Sequence, residues 1–304
     1  MLHDYAAIDE LLPWFFPAAA AVFGAMIGSF LNVVIYRVPA DRSIVSPGSQ
    51  CSCGKPIAWY DNIPILSWFI LRGKARCCGQ PYSFRYPAIE ALTATLFLIC
   101  WLTQPPVLAA AGFVLLGLLI CATFIDLDHM IIPDSITIGG TVFGVLLSFA
   151  LPVLHGHENA PLYLLGSVRS GTASILGVFV GSGLILWIAL LAEAVLKKEA
   201  MGFGDVKFLG MIGAFLGWPG AVFSMFAGAM VGTGWFLVAV VWQKLSGQSS
   251  SAALRAETPD GDATDIGFGA HVPFGPMLAI AAAIYLLGAH RPFNAYLDQL
   301  LEIW

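Results

Sequence analysis

Val114–Asp134 reads VLLGLLICATFIDLDHMIIPD. Its first twelve residues carry no charge, and Asp126, Asp128, His129 and Asp134 then crowd into its last nine. An apolar run of this density belongs in a bilayer, where a carboxylate at the helix centre costs about 2.5–3.5 kcal/mol on insertion scales. An ionisable residue at the edge of such a run is therefore a functional candidate. A second one, Asp205, stands in Gly202-Phe203-Gly204-Asp205, just before another apolar run. Two such residues suggest a pair.

The rest of the chain agrees with the membrane reading. Of 304 residues, 58% are hydrophobic and only 11% charged, and the mean hydropathy is +0.81. The length accommodates about six to nine spans of roughly 20 residues. Apolar segments fall at 14–36, 87–103, 107–125, 136–154, 172–196, 206–217, 220–242 and 272–289. Trp218-Pro219-Gly220 and Pro105-Pro106 are turn signals that fold neighbouring spans back as hairpins. The first run follows Asp4, Asp9 and Glu10 instead of a basic region, so it is expected to be a retained span and not a cleavable signal.

The expected architecture is an all-α polytopic membrane helical bundle of about eight transmembrane helices. It divides into a first span (1–38), a small cysteine-rich subdomain (39–85) and a membrane domain (86–304). Seven of the fourteen Lys and Arg lie between Arg37 and Arg85. The positive-inside rule puts that stretch in the cytoplasm and the N-terminus outside. Alternating from there, Asp126 and Asp205 both reach the cytoplasmic face. Ser246–Gly267, rich in Ser, Ala, Asp, Thr and Gly, reads as a flexible cytoplasmic linker. Membrane lipid is an expected partner and nucleic acid is not.

Two carboxylates that share a proton can perform acid and base work: one takes a proton from water while the other donates to a substrate carbonyl. A plainer role competes with this. Asp134 opens the fourth apolar segment after Ile132-Pro133 and suits a helix N-cap. Asp128 and His129 suit the wet interface, and a lone interfacial His is more often solvated than catalytic. Asp205 also suits a cap, so composition leaves both roles open for it. Lys207, just beyond it, reads first as a snorkelling lysine.

Cys51, Cys53, Cys77 and Cys78 form two close pairs, each followed by glycine. Four thiolates so arranged resemble two zinc knuckles supplying a tetrahedral site, and a cytoplasmic location disfavours disulfides. The spacing is CxC and CC in place of CxxC twice, and free or redox-active thiols are the alternative. Cys100 and Cys121 lie inside apolar runs and read as small buried hydrophobes.

Several motifs, in order, then resemble the type IV prepilin peptidases. They are Gly28-Ser29-Phe30-Leu31-Asn32, the cysteine loop enclosing Asn62-Ile63-Pro64 and Leu71-Arg72-Gly73-Lys74, and Arg85-Tyr86-Pro87-Ala88-Ile89-Glu90. Phe124-Ile125-Asp126-Leu127-Asp128 with Ile132-Pro133-Asp134, Gly202-Phe203-Gly204-Asp205-Val206-Lys207 and Pro273-Phe274-Gly275-Pro276 complete the set. The resemblance covers nearly the whole chain. It implies a GxGD aspartyl protease of the bacterial inner membrane with Asp126 and Asp205 as the catalytic carboxylates. Such enzymes remove the short basic leader of prepilins or type II secretion pseudopilins after a glycine, on the cytoplasmic side. Many then methylate the new N-terminal amine with S-adenosylmethionine, and the cysteine loop is linked to that activity and to Zn2+. Asp61 and Glu90 are candidates to meet the basic leader, and pairing with a neighbouring Arg is the equal alternative for Glu90.

This chain departs from the family pattern at the cysteines. One residue, Ser52, separates the first pair where two are usual, and Ala75 stands at the usual first position of the second pair. A peptidase without methyltransferase activity is the alternative. Two other classes are a proton-relay channel or transporter, which predicts charges near mid-span, and a non-catalytic zinc-stabilised assembly factor.

Overall fold

A bilayer offers the backbone no water, so each apolar run satisfies its own N–H and C=O groups by becoming helical. The computed structural model of the protein describes residues 8–197, 201–246, 256–257, 263–264 and 273–302. The main helices are α1 (Phe15–Arg37), the short α2 (Leu66–Ile70), α3 (Arg85–Thr103), α4 (Pro106–His129) and α5 (Asp134–Ala150). They continue with α6 (Tyr163–Leu196), α7 (Phe203–Ser246), α8 (Gly275–Ile284) and α9 (His290–Glu302). Five helices are long and apolar enough to cross a membrane: α1, α3, α4, α6 and α7. α5 is apolar but shorter. Among the described residues, helix occupies most of each of the eight apolar segments, although α6 starts at Tyr163, nine residues before the expected 172. The linker segment lies outside the described residues except for a two-residue antiparallel pairing, Ala256–Glu257 with Ala263–Thr264.

α7 is two limbs. Gly217, at φ 69° and ψ 180°, interrupts the helix, and Pro219 follows. A Cβ at Gly181 of α6 would lie 2.5 Å from the Leu209 carbonyl oxygen and 3.3 Å from the Ala221 Cβ. Those two residues are twelve apart and would be about 18 Å apart on a straight helix. The chain therefore reverses, at Gly217 and not at the three residues after it, because only glycine takes that positive φ without strain. The break frees backbone groups, and Ser174 of α6 donates to the Ala214 carbonyl at 2.7 Å. Such hydroxyls are what make a broken helix tolerable in a bilayer.

Close crossings fix the bundle. A Cβ on Gly24 or Gly28 of α1 would fall 2.8 Å from the Ala94 Cα or 2.7 Å from the Glu90 Cα of α3, so small residues let these backbones touch. The core lies where α4, α5, α7 and α8 meet, with Leu119, Ile125, Ile136, Phe208, Ile212 and Leu278 buried together. Leu146, Leu164, Phe179, Trp187 and Met230 point outward, as expected of a surface solvated by lipid chains.

Candidate active site and cysteine cluster

Asp126 lies in the last turn of α4. That helix ends at Met130, whose left-handed conformation (φ 55°) turns the chain away while its N–H donates to the Asp126 carbonyl at 2.9 Å. Residues 130–133 are non-helical and carry Ile132 inward. Asp205 is the third residue of α7, its N–H bonded to the Gly202 carbonyl at 3.1 Å. α8 begins at Gly275, directly against Asp126: a Cβ there would lie 2.6 Å from Asp126 Oδ2 and 3.0 Å from Ile132 Cδ1. A Cβ on Gly204 would lie 3.6 Å from the Ile132 Cβ. Ile132 thus fills the space between the two glycine backbones, and the ends of α4, α7 and α8 converge on one point.

The two carboxylates are buried, Asp126 6% and Asp205 9% exposed, and close enough to interact electrostatically. Asp126 Oδ2 has no hydrogen-bond partner of normal geometry among the described residues, although the Gly275 backbone N–H lies near enough to act on the carboxylate. A buried acceptor left open is costly in a purely structural role. It is an asset where a water or a substrate group must be bound.

The neighbouring charges do not have the expected roles. Asp134 is no cap: Pro133 occupies the N-cap position without a side-chain bond, and the Asp134 carboxylate pairs with Lys207 at 2.6 Å. Lys207 therefore does not simply snorkel, and its ammonium also lies 5.3 Å from the Phe203 ring centre. Asp128 and His129 are exposed as expected, but Asp128 is held by Arg85. Asp61 is engaged by Arg76 at 2.8 Å. Glu90 is buried and accepts the N–H of Ile65 at 2.6 Å. Ile65 has φ 63°, a strained conformation for a β-branched residue that persists only where the surroundings hold it. Neither acid is a free site for a basic leader.

The cysteine loop resolves its own irregular spacing. Gln50 pairs with Pro56 and Lys74 with Pro81, so the first turn encloses residues 51–55 and the second 75–80. Cys51 N–H bonds the Lys55 carbonyl and Ala75 N–H the Gln80 carbonyl, which makes Ala75 the counterpart of Cys51. The second turn is one residue longer, and the extra residue brings Cys77 in as the replacement. Cys51 and Cys78 sulfurs are 3.5 Å apart and those of Cys53 and Cys77 3.4 Å. All four lie within 4.8 Å of one another. A tetrahedral zinc with bonds of about 2.3 Å sets its sulfurs about 3.8 Å apart, so the donor set fits that ion. The Cys53 backbone N–H, then the Cys77 and Cys78 thiols, pull Cys51 down to about 6. Cys77, bonded to Cys51, is pushed up to about 12. One thiolate shared among neighbouring S–H groups explains both. Cys100 and Cys121 are buried among apolar residues as expected.

The pair of carboxylates stands inside a recognised sequence pattern. Residues 22–104 match the bacterial peptidase A24 N-terminal domain, and residues 113–237 match the type IV leader peptidase family. The chain belongs to the type IV leader peptidase family. Among similar proteins, the prepilin leader peptidase/N-methyltransferase of Aeromonas hydrophila is 34% identical over 95% of this chain and 97% of its own length. The protein of that name from Myxococcus xanthus strain DK1622 is 39% identical over 73% of this chain and 64% of its own. That of Klebsiella pneumoniae is 35% identical over 72% and 94%. No solved structure matches. These matches make the chain an enzyme of the prepilin peptidase class.

Two cavities, of about 440 and 260 Å³, are lined by apolar side chains such as Trp101, Phe143 and Leu147, or Leu237 and Trp242. Neither is lined by a charged side chain that would pair with the amine or the carboxylate of S-adenosylmethionine. Gly275, within Pro273-Phe274-Gly275-Pro276, is the site residue that local sequence does not mark. A glycine opening a helix was the available signal. Its neighbour lies some 150 residues earlier in sequence and appears only on folding.

Proposed function

We propose that this protein is an aspartyl endopeptidase of the bacterial inner membrane that removes the short basic leader of type IV prepilins or type II secretion pseudopilins. The cut falls after a glycine on the cytoplasmic side, and the N-terminus of the enzyme lies outside. Asp126 and Asp205 are the catalytic carboxylates. The observation that carries this reading is their convergence, from the ends of α4 and α7, into one buried pair beside Gly275. The orientation rests on the basic residues between Arg37 and Arg85.

In this mechanism the ionised carboxylate takes a proton from water as its oxygen attacks the peptide carbonyl. The protonated carboxylate donates to the carbonyl oxygen, giving a neutral tetrahedral adduct. The carboxyl that took the water proton then donates it to the leaving nitrogen while the other carboxylate takes a hydroxyl proton of the adduct, so the C–N bond breaks, the new amine is freed and the pair again shares one proton. Asp126 Oδ2 is the open acceptor for the first transfer. A site at the helix ends instead of mid-span disfavours a transmembrane proton relay.

Methylation of the new amine is carried by the relatives' names. The intact four-sulfur cluster supports that second activity, since the altered spacing is absorbed by the longer turn. The test is mass spectrometry of a cognate pilin processed by membranes containing the enzyme. The expected N-terminus begins just after the leader glycine and carries one methyl group. An uncut pilin overturns the peptidase, and a cut but unmethylated one leaves a peptidase alone.

Cys51, Cys53, Cys77 and Cys78 would hold a structural zinc that ties the two turns together. The purified protein is expected to contain about one zinc per chain, and Cys51→Ser or Cys78→Ser to lose most of it. Because thiols must ionise to bind, zinc uptake by the stripped protein releases protons, measurable in weak buffer. A metal content near zero removes this part of the proposal.

A further inference from the structure

The last turn of α4 is gripped from outside. Both guanidinium nitrogens of Arg85 reach the Asp128 carboxylate, Nη1 to Oδ1 and Nη2 to Oδ2, each at 2.7 Å. Nη2 also donates to the Phe124 carbonyl at 3.3 Å, and the guanidinium carbon sits 5.0 Å from the centre of the Phe124 ring. These contacts bracket Asp126 two residues before and two after. Arg85 is itself anchored as the first residue of α3, its N–H bonded to the Ser83 hydroxyl at 3.1 Å.

We propose that Arg85 is a positioning residue of this peptidase, a clamp that holds the final turn of α4 so that the Asp126 carboxylate faces Asp205. The inference rests on the catalytic reading of the two aspartates. An exposed ion pair would normally carry little. This one is a fork on a carboxylate, stacked on an aromatic face, with a cation at a helix C-terminus where the backbone dipole favours it. Without it, the last turn before Met130 is free to fray, as helix ends do. The clamp also ties the catalytic helix to the end of the cysteine-rich segment, since Arg85 follows Tyr82, whose N–H bonds the Gly73 carbonyl at 2.9 Å.

The experiment is a kinetic double-mutant cycle on the full-length enzyme in membranes, with a cognate prepilin as substrate. Arg85→Ala and Asp128→Ala are each expected to lower kcat about 10- to 100-fold, the effect of a catalytic group displaced by an ångström or less. KM should stay within about twofold, because the lost interaction is not with substrate. The double variant should be no slower than the slower single one, since both changes remove the same clamp. Arg85→Lys should recover only a small part, as one ammonium cannot fork a carboxylate. If Arg85→Ala lowers the thermal midpoint of the purified enzyme, Asp128→Asn, of equal size, decides in its place. Unchanged kcat, additive losses, or a raised KM at normal kcat overturn the clamp. A wild-type enzyme that leaves the prepilin uncut defeats the peptidase reading and the clamp with it, whereas normal wild-type cleavage with indifferent variants defeats the clamp alone.

Discussion

Asp126→Asn and Asp205→Asn, made separately, are each expected to lower prepilin cleavage about 10²- to 10⁴-fold, the range lost when a positioned acid or base is removed. Asparagine keeps the size of each side chain and, at position 126, its fit beside Gly275, so packing is preserved while proton transfer is lost. Asp205 is the third residue of α7 and not its N-cap, so a capping role is already excluded, and a merely structural Asp205 would leave cleavage normal in the isosteric variant. The measurement is the rate at which precursor converts to the shorter mature pilin in membranes containing each variant. Retained cleavage in either one removes that residue from the pair.

Gly275→Ala is expected to cost about 100-fold in the same assay. The added methyl would lie 2.6 Å from Asp126 Oδ2 and 3.0 Å from Ile132 Cδ1, closer than carbon and oxygen can approach. Something must move, and a shift of about an ångström in a reacting group costs on the order of 10²-fold. Alanine is otherwise harmless at the start of a helix and improves helix propensity relative to glycine, so the thermal midpoint should change little. Gly139→Ala on α5, where a new Cβ meets nothing within 4 Å, is the control and should retain activity within about twofold. Full activity in Gly275→Ala would show that α8 does not bear on the carboxylate.

The motifs explain how much could be foreseen. Apolar runs bounded by Pro105-Pro106 and by the glycine and proline near 217–220 were legible because membrane helices depend on local composition and length. The reversal falls at Gly217, one residue before the Trp218-Pro219-Gly220 signal, because it needs a positive φ in a backbone packed closely against Gly177 of α6. Asp134 was legible as a helix start, but not as the partner of Lys207, which lies 73 residues later. Glu90 and Asp61 read as candidates for a basic leader, with a neighbouring Arg the alternative for Glu90, because nothing near them in the chain announces Ile65 or Arg76. The four cysteines were evident, and their odd spacing became intelligible only when the two turns proved to differ by one residue.

Local chemistry by itself determined that this chain is a helical membrane protein with two misplaced carboxylates and a thiol cluster, since hydropathy, charge and residue type act without distant partners. The tertiary structure alone decided how three helix ends meet. Gly275 against Asp126, Ile132 between the glycines, and Arg85 clamped on Asp128 join residues far apart in the chain, 43 positions for Arg85 and Asp128 and more for the others. Such proximity comes from how whole helices cross, and no local pattern encodes a crossing.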